Sequence, residues 1–315
     1  MGNMKIKIIL IFGILFITNT LLLSQSENIL KTKIKLDTTY SLSSDIIVLL
    51  SDNDNLYIGD GDGKIYNVNS KKVLSELNIK HSGWINTLDI NKSRNILASG
   101  SSSGDILFYD INTNETIQKI SFSNKCINNL KFVNDSLVLI VVDSVYLLNI
   151  NNQRVLKKYY NTARITSLNR IENTNTILFG TFGGDILIFD PKTFKVTKKI
   201  SSQKSKVTSI TNFQNRDLAI GYENGTISII SLKGYKPIKL LKGHYDVVSG
   251  LAFSPDGKYL VSSGWDKNIF VWNMGNYKLE LNINAHRNIV SAITFWKNKL
   301  VTASFDNSIK LWNNF

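Results

Sequence analysis

The sequence predicts an all-β chain built from seven copies of one four-stranded unit, and three observations carry that reading. A polar residue closes an alternating apolar stretch at Asn69, Asp110, Asn149, Asp190, Ser231, Asn273 and Asn313, at intervals of 41, 39, 41, 41, 42 and 40 residues. Within the copies, apolar residues recur at every second position, as at Ile106 and Phe108, Ile186 and Ile188, and Ile309 and Leu311, which is the period of a strand with two unlike faces. Between them stand pairs such as Asp62-Gly63, Gly183-Gly184 and Asn224-Gly225, suited to hairpin turns that need positive φ, and no helix-length window shows a 3.6-residue apolar period.

Taken in order, residues 1–26 stand apart from the repeat. Met1–Lys7 carries two lysines and no acid, Ile8–Leu23 is apolar except at Gly13, Thr18, Asn19 and Thr20, and Ser24-Gln25-Ser26 places small residues two apart. A basic start, a short apolar run and a small-residue exit form the pattern of a secretory signal peptide. As a helix at about 1.5 Å per residue the run would span ~24 Å, short of the roughly 30 Å hydrocarbon core. Export to the periplasm or medium is therefore expected, with an uncleaved membrane tether as the alternative. Ile6 occupies the position where myristoylation needs Ser or Thr, and no cysteine follows the run to carry a lipid.

Residues 27–315 then read as a single domain. Lys33–Tyr40 (KIKLDTTY) precedes the first inner strand, Ile46–Leu50, and belongs to no unit, while the last unit ends after its third strand. Pairing of Lys33–Tyr40 with Ile309–Trp312 is expected to complete that unit and remove two open sheet edges. The third-strand segments follow as LYIGDGDGKIYNVN from Leu56, LASGSSSGDILFYD from Leu97, a degenerate LVLIVVDSVYLLN from Leu137, ILFGTFGGDILIFD from Ile177 and LAIGYENGTISIIS from Leu218. Gly243–Asn273 and Ala285–Asn313 are the fullest copies: small-His, apolar strand, turn, apolar-Ser/Thr strand, aromatic-Asp, and an alternating strand ending Trp-Asn.

With these residues, from about Ile34 to Asn313, the chain resembles the WD40 family. The resemblance implies a seven-bladed β-propeller of four-stranded antiparallel blades, its ring closed by the N-terminal strand. Only Trp272 and Trp312 stand at the family's Trp position; Val68, Tyr109, Leu148, Phe189 and Ile230 replace it elsewhere. The same likeness implies a buried tetrad in which Asp fixes His, His bonds Ser or Thr, and that hydroxyl receives the indole N–H. The matching sets are His244, Ser262, Asp266 and Trp272; His286, Thr302, Asp306 and Trp312; and, with weaker residue types, His81, Ser99, Ser103 and Tyr109. Such closed chains satisfy buried polar groups. They commit all three histidines of the sequence, which argues against a Ser-His-Asp hydrolase and against metal binding. No cofactor is expected.

The remaining chemistry reads blandly. GDGDG at Gly59–Gly63 aligns with the hairpin turns of the other units, with no following helix to hold a phosphate. Cys126 is expected as a small buried residue of an inner strand and, being the sole cysteine, forms no internal disulfide. The 37 Lys and Arg against 24 Asp and Glu give +13, near +11 without the leader. Lys71, Lys72, Lys157, Lys158, Lys195, Lys198, Lys199, Lys233, Lys236, Lys239 and Lys242 fall in or just before outermost strands. Lysines there blunt sheet edges and lack interleaved stacking aromatics, so no nucleic acid is expected, with weak attraction to envelope surfaces as the milder implication.

The functional lead is the face bearing the loop after His and the turn before Asp, where the family commonly binds partners. Phe182, Trp265 and Phe305 share the position before the tetrad Asp; Trp84, Tyr245 and Arg287 follow the histidines; Arg164 and Lys206 occupy equivalent loops. Aromatics and Arg are enriched at binding hot spots. The expectation is a monomeric, non-enzymatic scaffold for a protein partner. Two alternatives are an accessory or maturation factor for a periplasmic redox enzyme such as nitrate reductase, which propellers resembling this one accompany, and a propeller enzyme with a central cofactor.

Overall fold

The computed structural model describes residues 34–314 apart from 53, 123, 124, 161, 162, 172, 173 and 202. The expected leader, 1–26, lies outside the described residues. Seven four-stranded antiparallel sheets stand as blades around a central channel, with no helix among the described residues. Blades 1 to 6 are each four consecutive strands. Their inner strands are β2 (Ile46–Ser51), β6 (Ile85–Asn91), β10 (Asn129–Phe132), β14 (Ile165–Arg170), β18 (Val207–Phe213) and β22 (Val248–Phe253), and each blade then runs outward through three hairpins.

Blade 7 is composite. Its inner three strands, β26 (Val290–Trp296), β27 (Lys299–Ser304) and β28 (Ser308–Asn313), are joined at the outer edge by β1 (Lys35–Ser41). Leu36 faces Trp312 and Tyr40 faces Ile309, with one bulge between Leu36 and Thr38. The Asp37 carboxylate ties β1 to its own blade and to blade 1: it accepts from Lys299 Nζ at 2.9 Å and Asn313 Nδ2 at 3.1 Å within blade 7, and from Lys72 Nζ of blade 1 at 2.6 Å. Those cations hold it well below the usual carboxylate range.

Apolar side chains fill the spaces between blades. One cluster joins Ile46, Ile58 and Val68 of blade 1 to Val301, Ile309 and Leu311 of blade 7, and equivalent clusters span the other seams. The residue opening each inner strand, Ile46, Ile85, Ile165, Val207, Val248 and Val290, is buried, as is Ile127, two residues before the inner strand of blade 3. The lysines lie at the rim as placed: Lys157 and Lys158 in β13 (Arg154–Tyr159), Lys195, Lys198 and Lys199 in β17 (Lys195–Ser201), and Lys236, Lys239 and Lys242 in β21 (Lys236–Lys242). Cys126 departs from expectation. The inner strand of blade 3 begins only at Asn129, so Cys126 precedes it and is half-buried at the channel end.

That late start accompanies a local difference in backbone. In the other six blades the inner strand opens with a register shift, at Ile46/Val48, Ile85/Thr87, Ile165/Ser167, Val207/Ser209, Val248/Gly250 and Val290/Ala292. A bulge places an extra residue and re-aims its side chain. In blade 3 the pairing of β10 with its neighbour runs without a shift.

Candidate functional site

Blade 6 carries a complete hydrogen-bonded chain. Asp266 has both oxygens on His244 Nδ1, at 3.0 and 2.8 Å; His244 Nε2 lies 2.8 Å from Ser262 Oγ; and Trp272 Nε1 donates to that hydroxyl at 2.9 Å. With the carboxylate on Nδ1, that nitrogen carries the proton, so Nε2 accepts from Ser262 and Ser262 accepts from the indole. The imidazole stacks on Phe270 at 4.3 Å. Gly264 makes room for this contact: a Cβ there would sit 2.6 Å from both Asp266 Oδ1 and His244 Nδ1.

Blade 7 repeats the chain with slacker geometry. His286 Nδ1 lies 3.1 Å from Asp306, His286 Nε2 2.8 Å from Thr302 Oγ1, and Trp312 Nε1 donates to Thr302 at 3.1 Å. Asp306 also receives Ser308 Oγ and the Arg287 N–H, at 2.5 and 2.9 Å. Its carboxyl is held down at about 2 despite burial, with Ser308 the main cause. Burial pushes His286 down to about 4, so the ring is neutral at pH 7.

Blade 2 does not complete the set. His81 Nε2 meets Ser99 Oγ at 2.7 Å, but Ser103 turns to Ser101 Oγ and Tyr109 sends its hydroxyl to Asn114 Oδ1. Ser103 is too short to reach the ring, and a phenol carries its donor at the ring's far end, whereas an indole carries it on the flank. His81 Nδ1 is left buried with no partner among the described residues, and burial pushes the histidine down to about 4.

These chains brace one rim of the ring, where the turn after each second strand is bonded to the loop entering the same blade. Phe182 N–H donates to Arg164 O at 2.8 Å, Trp265 N–H to Val247 O at 2.9 Å, Phe305 N–H to Ile289 O at 3.1 Å, Glu223 N–H to Lys206 O at 2.9 Å, and Ser102 N–H to Trp84 O at 2.9 Å. Trp84, Phe182, Tyr245 and Trp265 are 59%, 54%, 79% and 47% exposed. Phe305 is half-buried. Arg164 and Arg287 are exposed, while Lys206 is half-buried and paired with Glu223 at 3.3 Å. Trp84 shares a column with Arg164 and Lys206, and Tyr245 and Arg287 stand two residues earlier in their loops.

One column escaped sequence reasoning. In five blades the bulged residue of the inner strand bonds the next blade: Asn86 Nδ2 donates to Ile127 O (3.2 Å), Thr166 to Val207 O (2.6 Å), Thr208 to Val248 O (2.6 Å) and Ser291 to Ile46 O (2.5 Å), while Ser249 bonds Val290 O. Its signal was available: Asn86, Asn128, Thr166, Thr208, Ser249 and Ser291 are polar and each follows a buried Ile or Val at the inner edge of its blade, with only Ile47 as exception.

Comparison with known proteins agrees with this architecture. The family model described as WD domain, G-beta repeat matches residues 235–273 and 277–313, and that of the anaphase-promoting complex subunit 4 WD40 domain matches 38–135. Among curated relatives, WD repeat-containing protein 55 of Arabidopsis thaliana is 23% identical over 218 residues, covering 67% of this chain and 62% of its own. NET1-associated nuclear protein 1 of Saccharomyces cerevisiae is 40% identical over 79 residues, 25% of this chain and 9% of its own. Mouse WD repeat-containing protein 1 is 27% identical over 145 residues, 44% and 24% respectively. The chain thus spans less than two thirds of the length of these relatives.

Proposed function

The chain belongs to the WD40-repeat family, and we propose that it is a non-catalytic scaffold that captures a protein partner on the rim carrying Trp84, Phe182, Tyr245 and Trp265. The observation behind this reading is the exposure of those four aromatics, 47% to 79%, on turns fixed by backbone hydrogen bonds. Large aromatic surfaces held out in water gain free energy when a partner covers them, and rigid supports lower the ordering cost. His244 and His286 are committed to structural hydrogen bonds and serve no reaction.

The reading includes export and a monomeric state. The basic start, apolar run and small-residue exit of residues 1–26 favour action in the periplasm or outside the cell. Combined alanine replacement of Trp84, Trp265 and Phe305 tests the face. Expected is loss of partner capture from an envelope extract with a cooperative melt retained, since Trp84 and Trp265 are largely exposed and Phe305 is only half-buried. Undiminished capture by the folded triple variant would refute the assignment.

A further inference from the structure

The ring of bulge side chains has a gap where blade 3 meets blade 4. Asn128 occupies the latching column, but its Nδ2 donates at 2.9 Å to Val142 O of its own blade, and its Oδ1 faces Cys126 Sγ at 3.6 Å. The ladder of β10 starts only at Asn129, past the bulge position of the other blades, and the Asn128 side chain turns to its own blade instead of across the seam. There a cleft of about 530 Å³ opens on the aromatic rim, with Val141, Val142 and Ile165 as an apolar floor and Asn128 and Cys126 on its wall. Lys125 and Arg164 stand at its lip. Lys125 is paired with Asp143 at 2.5 Å, whereas Arg164 has no carboxylate within 4.0 Å among the described residues.

We propose that this unlatched seam is the anchor pocket of the rim: it takes an aliphatic side chain from an acidic segment of a protein partner, whose flanking carboxylates meet Arg164 and compete with Asp143 for Lys125. The proposal rests on the scaffold reading and adds where the partner seats and what its segment is made of. The apolar floor selects an aliphatic anchor; Arg164, with no carboxylate beside it among the described residues, and Lys125 select acid around it. At the other seams with a bulge hydroxyl or amide, the bonded side chain occupies the equivalent crossing.

Cys126 is the sole cysteine and lies in the pocket wall, so its alkylation reports occupancy in the full chain. Intact mass would follow N-ethylmaleimide addition with and without a seven-residue peptide of one leucine flanked by four aspartates and capped by glycines. Parallel arms replace the aspartates by lysines or the leucine by glycine. Expected is a roughly ten-fold slowing by the acidic leucine peptide at about ten times its Kd, little slowing by the other two, and loss of protection in Arg164→Glu. Unprotected Cys126, equal protection by the lysine peptide, or full protection retained in Arg164→Glu overturns the proposal. Lys239→Ala, in the outermost strand β21 of blade 5, is expected to leave protection intact. Because the readout uses none of the rim aromatics, failure here leaves the scaffold reading to be judged by the triple variant.

Discussion

Removing the Asp266 carboxylate isolates what the tetrad contributes. In Asp266→Ala the His244 Nδ1–H loses an acceptor at 2.8 Å, and the N–H groups of Tyr245 and Asn268 lose theirs at 3.3 and 3.2 Å. The two backbone groups lie beside exposed loop and regain water. His244 does not: its side chain is fully covered, packed on Phe270, and held at Nε2 by Ser262. The uncompensated loss is therefore one stranded donor in a dry site together with one charge-assisted bond, about 2–3 kcal/mol. For a domain of this size that corresponds to a fall in melting temperature of about 5 °C. Differential scanning fluorimetry on Asp266→Ala, Asp266→Asn and Ser103→Ala provides the comparison. Asn keeps an acceptor and is expected to lose less than Ala, and Ser103→Ala, outside any completed chain, is expected within about 0.5 kcal/mol of the parent. An Asp266→Ala variant melting with the parent, or no lower than Ser103→Ala, refutes the reasoning.

The other predictions concern the same frame. Gly264→Ala is expected to destabilise by an amount similar to Asp266→Ala, because its Cβ enters the His–Asp contact, and the double variant is expected to lose much less than the sum; additive losses in a double-mutant cycle would count against this. Deleting Lys35–Ser41 is expected to abolish cooperative melting of the whole ring, while Asp37→Ala costs about 1 kcal/mol in a salt-sensitive manner; a deletion that melts like the parent rejects the closure role. Acid sensitivity follows from His81, whose pKa falls from 6.5 in the open chain to about 4 when folded. Between those values only the unfolded state takes up the proton. Stability is then full above pH 6.5 and declines as pH drops toward 4, at up to about 1.4 kcal/mol per unit for one histidine, with His286 acting in the same direction. Urea midpoints across that window check the slope, which His81→Gln should reduce; an equal slope in that variant removes the cause. Thr208→Val is expected to cost about 1 kcal/mol by breaking its bond across the blade 5 to blade 6 seam, visible in the same denaturation assay as a lower midpoint, and a parental midpoint contradicts the latch.

The repeat was legible because it rests on patterns that burial enforces. Alternation at Ile186 and Ile188 survives in any blade, and the matched spacings of His244 with Asp266 and His286 with Asp306 mark two chains that the ring brings within hydrogen-bond reach. What sequence could not supply was direction. Tyr109 stands in the Trp column, yet its hydroxyl points to Asn114 because ring shape, rather than position, decides where a donor lands. Cys126 falls in the loop column of Trp84, Arg164 and Lys206, one residue before the inner strands of those blades begin, a boundary that is not written in residue types. Phe182, Trp265 and Phe305 were identifiable as one column, while the half-burial of Phe305 came from its neighbours.

The composite blade also has a consequence for how the ring comes into being. β1 and β28 pair across roughly 270 residues of intervening chain, the longest separation that the fold contains. Joining such distant segments from an open chain costs about 5 kcal/mol of loop entropy, a penalty that falls away once the six intervening blades have stacked and carried the two strands together. Closure is then the final event of folding and the first to be undone. Because the two strands lie side by side, a chain cut in a different outer turn and rejoined across this seam would keep every blade, but its last step would move to another place on the circle.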